Sequence, residues 1–270
     1  MENKKLTVGD VYRCIEKMTE RKAFNENEDL ITFGLAESQV NKILVCWMAD
    51  AAAIRYAAQT GADLMICHEA PFYNFDTDYT SGSPSVPAYF SRHTNYNRVK
   101  LLTQNEISII RIHNPLDYYC IFDDFAAQLE LGEPVAAVNP TLKVYEIAPV
   151  TYGDLIEHVK CVLGLPLLRA SNGDLNRVVK RIGLPWGGLG LFVNVWYVQS
   201  VLNLGCDVLI AGETDNYGIR FAIDAGVDMI ETGHEISENA GLSRFSRELA
   251  ALLPETPVEF YENKSPFIFI

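Results

Sequence analysis

The sequence predicts an α/β fold, with mixed sheets flanked by helices, and two observations carry that expectation. Short apolar runs alternate with helix-length segments, as in βαβ units. A unit also recurs within the chain. Ile54-Arg55-Tyr56-Ala57, Gly61-x-Asp63 and an apolar run ending at His68-Glu69 return as Ile219-Arg220-Phe221-Ala222, Gly226-x-Asp228 and a run ending at His234-Glu235. From the isoleucine to the aspartate the spacing is identical, at an offset of 165 residues from Asp63 to Asp228. A shorter echo runs from Gly205-Cys206-Asp207 to Gly212-Glu213. Duplication of one α/β unit accounts for all three.

In chain order, Thr7 followed by Val11, Cys14, Ile15 and Met18 predicts an N-capped amphipathic helix. Residues 41–48 (NKILVCWM) form a strand buried on both faces, 49–60 an alanine-rich helix and 62–67 a second buried strand. Residues 74–97 are polar, aromatic and rich in Pro and Ser, so they are expected as one long loop carrying His93. Its aromatics, with Tyr73 before it, suit a lid or a subunit contact. A strand at 107–112 and a helix at 122–129 follow, then a link near 130–140.

Beyond the link come a strand at 143–147, a helix over 155–163 capped at Thr151, and a strand at 177–184. A glycine-rich turn at 185–190 leads to a helix at 191–204 and a strand at 207–211. That turn could cradle a phosphate, or simply be tight; it fits no phosphate-binding signature. The tail predicts two short strands, at 257–262 and 267–270. The lobes are expected at 1–130 and 131–270. Asp50, Asp63 and Asp228 read as capping or turn carboxylates, and His158 as solvated.

A net charge of −13 without a basic cluster argues against nucleic acid and anionic membranes as partners. No apolar run approaches the ~18–20 residues of a membrane span, and the first residues lack an apolar signal core, so a cytoplasmic protein is expected. Six cysteines without a CxxC pair are expected as buried small hydrophobes in a reducing compartment.

Three strand exits carry metal-competent side chains: His68-Glu69, His113 to Asp117 (HNPLD), and His234 to Glu238 (HEISE). Ligands gather at strand carboxyl ends in α/β sheets. His234 and Glu238 would share one face of a helix beginning there. Pro115 is expected to make the His113–Asp117 segment a bent loop. Mixed imidazole and carboxylate donors suit Mn, Fe or Zn, and five or more of them exceed what a single ion needs.

The runs GADLMICHEAPFY, IRIHNPLDYY and GCDVLIAGETDNYGIRFAIDAGVDMIETGHEISEN resemble the NIF-three-like family, whose members are also called type-2 homologues of GTP cyclohydrolase I. The resemblance covers nearly the whole chain in order. It implies two interlocked, duplicated α/β lobes without an inserted central domain, a dinuclear metal site between the lobes, and a ring-like homo-oligomer, often a hexamer. Carried over by motif, the ligands fall on His68, Asp117, His234 and Glu238, with Glu238 bridging. The family's second histidine of His-His-Pro is Glu69 here, a substitution that should favour Mn or Fe over Zn. The histidine that usually follows the Gly-Asp/Glu loop is absent after Gly212-Glu213, where Asn216 and Tyr217 stand, so one ion is expected to bind more weakly or to be absent.

Two functions fit. One is a metal-dependent hydrolase of a small nucleotide-like, phosphate- or amide-containing substrate, with His113 as the catalytic proton shuttle. The other is a non-enzymatic metal carrier, insertion factor or scaffold. The residues show no Cys-His zinc constellation of the kind pterin cyclohydrolase chemistry needs.

Overall fold

The computed structural model describes residues 5–73 and 92–268. It divides into two compact units, Met1–Leu116 with Leu242–Asn263, and Asp117–Gly241 with Lys264–Ile270. Each unit is built around its own sheet.

In the first unit, helix α1 (Val8–Met18) opens on a capping box between Thr7 and Asp10. Strands β1 (Leu30–Phe33), β2 (Ile43–Cys46), β3 (Leu64–Cys67), β4 (Ser108–Arg111) and β11 (Val258–Tyr261) form a sheet in the order β1-β4-β3-β2-β11. Only β1 runs antiparallel to its neighbour. Strands β2 and β3 are buried at every position, as continuous apolar runs between helix layers should be. Helix α2 (Ala51–Thr60) is capped by the Asp50 carboxylate and stops at Gly61, whose φ of 73° suits a residue without a Cβ. Helix α3 (His93–Gln104) adds Leu102 to a core holding Leu44, Ile54, Met65 and Ile109. Each such buried side chain contributes about 1.5–3 kcal/mol through its removal from water.

The second unit starts on a π-helical turn, Asp117–Ile121, that runs into helix α4 (Phe122–Gln128). Its six strands are β5 (Pro134–Asn139), β6 (Leu142–Thr151), β7 (Arg169–Ala170), β8 (Val178–Gly183), β9 (Val208–Ala211) and β10 (Asp228–Glu231), ordered β5-β6-β8-β9-β10-β7. The central trio β8, β9 and β10 is parallel and the outer pairings are antiparallel. Helices α5 (Tyr152–Leu163), α6 (Val195–Asn203), α7 (Asn216–Asp224) and α8 (His234–Leu252) follow, with a 3-10 turn at Phe192–Asn194. From Leu242 onward α8 belongs to the first unit.

The repeated Gly-x-Asp has one structural meaning in two copies. Gly61, Gly205 and Gly226 take φ of 73°, 78° and 77° where a helix turns toward a strand. The next carboxylate then ties down backbone N–H groups just before or within the adjacent parallel strand. Asp63 accepts the N–H groups of Asn41 and Lys42, and Asp207 those of Lys180 and Arg181. Asp228 departs from the expected turn role. It is buried, takes a hydrogen bond from Ser171 and pairs with Arg177 at 2.8 Å.

Other expectations are corrected. The long loop does not reach 97, because His93 begins α3; residues 74–91, with Phe75, Tyr79, Tyr89 and Phe90, lie outside the described residues. The link near 130–140 contains β5, an edge strand hairpinned onto β6. Phe267 and Ile268 are exposed and lie in no strand. Cys161 is exposed and Cys14 half-buried, whereas burial pushes the Cys67 and Cys206 thiols up to about 12, which keeps them protonated. No helix among the described residues is long and apolar enough to cross a membrane.

Candidate metal centre

His68 leaves β3 with its backbone N–H bonded to the Trp47 carbonyl at 3.0 Å, and its side chain is fully buried. Its Nδ1 lies 3.2 Å from the Ile112 carbonyl. A carbonyl oxygen only accepts, so Nδ1 carries the proton and Nε2 the lone pair of the neutral ring. That tautomer is the one a metal-binding imidazole adopts when its other nitrogen donates to a carbonyl.

His113 follows β4 and lies beside His68, ring centroids 4.5 Å apart and planes inclined by 33°. Its backbone N–H donates to Asp29 Oδ1 at 2.6 Å. Its Nδ1 is 3.3 Å from Glu28 Oε2 and its Nε2 3.5 Å from Glu69 Oε1. Hydrogen bonding to His113 holds the Glu28 carboxyl below its usual range, against a smaller opposing effect of desolvation. Arg111 Nε donates to the His68 carbonyl at 3.2 Å. Two imidazoles and a carboxylate thus meet where β3 and β4 end.

The segment after His113 is not the bent loop that Pro115 suggested. Asn114–Leu116 is helical, with the Leu116 N–H bonded to the His113 carbonyl. Proline near the start of a helical turn gives up an N–H that has no partner there anyway. Asp117 therefore follows His113 by one turn.

In the second unit Asp117 is buried, and Trp186 Nε1–H donates to its Oδ1 at 3.0 Å, fixing the carboxylate. His234 is the first residue of α8, directly after Gly233 with φ 115°. Its Nδ1 is 3.1 Å from Glu213 Oε2 and its Nε2 3.4 Å from Glu238 Oε1, the one-turn pairing expected. Glu238 is 2% exposed. The glycine-rich turn packs against this pair: a Cβ on Gly187 would lie 2.2 Å from Glu238 Oε1, and one on Gly188 3.2 Å from His234 Cε1. The turn therefore packs its glycines against acidic side chains, as a tight turn with no room for a Cβ would.

Each unit thus gathers side chains that a metal ion could use: His68, Glu69 and His113 in the first, and Asp117, His234 and Glu238 in the second. The donor set fits such an ion: burying carboxylates is costly unless cations or hydrogen bonds compensate. Sequence reasoning missed Glu28, Trp186 and Ser237, whose Oγ accepts the Gly187 N–H. Glu28 is found only through strand pairing, and Trp186 lies 69 residues from the carboxylate it holds.

The model of the Duf34/NIF3 (NGG1p interacting factor 3) family matches residues 6–266. The chain belongs to that family. Two relatives carry the name GTP cyclohydrolase 1 type 2 homolog. The one from Haemophilus influenzae is 26% identical over 222 residues, covering 79% of this chain and 81% of its own. The one from Escherichia coli is 29% identical over 224 residues, covering 78% and 79%. A crystal structure of a Bacillus cereus protein related to NIF3 shares the fold, with a TM-score of 0.79 at 14% identity over 99% of this chain and all of that one. The family and the α/β architecture expected from sequence are thereby borne out.

Proposed function

We propose that this Duf34/NIF3 protein is a metal-dependent hydrolase whose His68, Glu69, Asp117, His234 and Glu238 hold two divalent ions. The observation that carries the reading is the cluster at the ends of β3 and β4, where His68, buried and in its ligand tautomer, lies beside His113 and Glu69. Bound there, divalent ions would supply Lewis acidity toward a phosphate or amide.

The side chains divide the remaining work. Trp186 orients Asp117, and Gly187 leaves room for Glu238. His113, with Nε2 directed toward Glu69, is placed to move a proton during turnover. The substrate is a small nucleotide-like, phosphate- or amide-containing molecule, and the working form a ring-like homo-oligomer, a hexamer, in the cytoplasm.

Metal analysis of the purified protein, then a phosphatase, phosphodiesterase and amidase panel with Mn, Fe and Zn, tests the reading. Turnover lost on chelation and regained with one of these ions is expected. Stoichiometric metal with no turnover on any member would leave a metal-binding protein and defeat the hydrolase.

Glu69 offers a finer check. Glu69→His adds a nitrogen donor, and is expected to raise zinc retention relative to manganese about tenfold in competition dialysis. An unchanged ratio would place Glu69 outside the ligand set.

A further inference from the structure

We infer that the Arg111 guanidinium is a binding group for an oxyanion of the substrate, a phosphate or a carboxylate, beside His68 and His113. The inference rests on the proposed metal-dependent reading and narrows its substrate to an acidic one, setting a neutral amide aside.

Arg111 is the last residue of β4 and stands opposite Cys67 on β3 and Leu30 on β1. Its Nε donates to the His68 carbonyl at 3.2 Å, which sets the plane of the guanidinium. Neither Nη atom donates a hydrogen bond to the described residues. Glu28 Oε2 comes no closer than 4.0 Å to Nη2, beyond hydrogen-bonding distance, and lies nearer to His113, 3.3 Å from Nδ1. The Arg111 side chain keeps 15% of its surface exposed. One edge of a rigid fork is thus tied down, while the two Nη groups, suited to bidentate pairing with a carboxylate or phosphate, are left open.

The placement of this charge is informative in a chain of net charge −13. Taking a guanidinium largely out of water is costly unless hydrogen bonds or an anion face it. Burial pushes the Cys67 thiol up, and Arg111 is the largest of the influences opposing that rise, so its charge is felt at the exit of β3. Arg98, the other arginine acting on that thiol, is committed to the fold: Nη1 donates to the Pro71 carbonyl and Nη2 to the Tyr73 hydroxyl. Arg111 has no such partners. Because Glu28 Oε2 approaches both Arg111 and His113, the open fork and the His113 ring, which lies beside His68, are neighbours. A substrate oxyanion on the fork would therefore sit next to the groups assigned to metal binding and proton transfer.

Ligand-observed NMR at constant ionic strength tests the inference, with methyl phosphate, acetate and acetamide as probes on zinc-loaded protein. The parent is expected to bind the two anions and to leave acetamide free. The tighter of the two anions tells phosphate from carboxylate. Arg111→Gln removes the charge but keeps an N–H for the His68 carbonyl. It is expected to weaken both anions about ten- to hundredfold, the worth of a hydrogen bond to a charged group, with zinc content and backbone spectrum unchanged. Arg111→Lys, a charge without the fork, should recover only part of the loss. Acetamide bound as well as acetate, or anions held equally by parent and Arg111→Gln, overturns the inference. Zinc lost from Arg111→Gln along with the anions also overturns it, since Arg111 would then only support His68. The contrast needs no turnover, so a failure of the hydrolase reading leaves it measurable.

Discussion

Asp117→Ala and His234→Ala are each expected to leave the purified protein with less than about a tenth of the parent's bound metal, while far-UV dichroism stays native. Losing even an outer partner of a metal ligand typically costs about 10–100-fold in affinity, and a lost donor atom should cost at least that. Secondary structure should survive, because both residues stand at helix beginnings: Asp117 opens the π-helical turn and His234 opens α8. Asp117→Ala also leaves the Trp186 indole N–H without its acceptor, at a cost of about 1–3 kcal/mol. Asp117→Asn separates the two effects. It keeps an oxygen for Trp186 but removes the charge, so it should retain most of the stability and still lose metal. Full occupancy in both alanine variants, measured by elemental analysis, would remove these residues from the ligand set.

Gly187→Ala is expected to damage both the fold and the site. Gly187 sits at φ 54°, a left-handed conformation that costs an L side chain about 1–2 kcal/mol. Its new Cβ would meet Glu238 Oε1 at 2.2 Å, and forcing a methyl into such a space costs about 1–3 kcal/mol more. Glu238 can relieve the clash only by swinging away, which removes it from the donor cluster. A loss of about 2–5 kcal/mol in urea unfolding, together with reduced metal content, is the expected pair of results. Alanine at Gly61 makes a useful contrast: φ is also positive there, but nothing lies within 4 Å of the added Cβ. Only the backbone strain should appear, with metal content unchanged.

The parts of the fold legible in sequence were those where local chemistry and tertiary role coincide. Residues 43–46 and 64–67 are continuously apolar because helices cover both faces of their sheet, and the sequence cannot hide that. Gly61 and Gly226 announce turns because only glycine takes their φ cheaply. Thr7, Asp50 and Thr151 cap helices through their own side chains, a purely local event.

What was hidden depended on partners far along the chain. Strand β1 is four half-buried residues with no clean alternation, and only its pairing with β4 makes it a strand. Strand β5 is an edge of mostly small, exposed residues, indistinguishable locally from a linker. Asp228 looks like its counterparts Asp63 and Asp207, yet Ser171 and Arg177 draw it into a buried ion pair. In the candidate site, the histidines and acids at strand exits stood out by their type and place. Glu28 did not: its relation to His113 exists only through antiparallel register, and nothing near residue 28 signals it.

The central claim is that His68, Glu69, Asp117, His234 and Glu238 grip common cations. Crystals grown with manganese, with data collected on either side of its absorption edge, test it most directly. Anomalous peaks within bonding distance of the His68 imidazole and of the Asp117 and Glu238 carboxylates are the predicted result. Peaks confined to surface carboxylates, with His68 touching none of them, would contradict it.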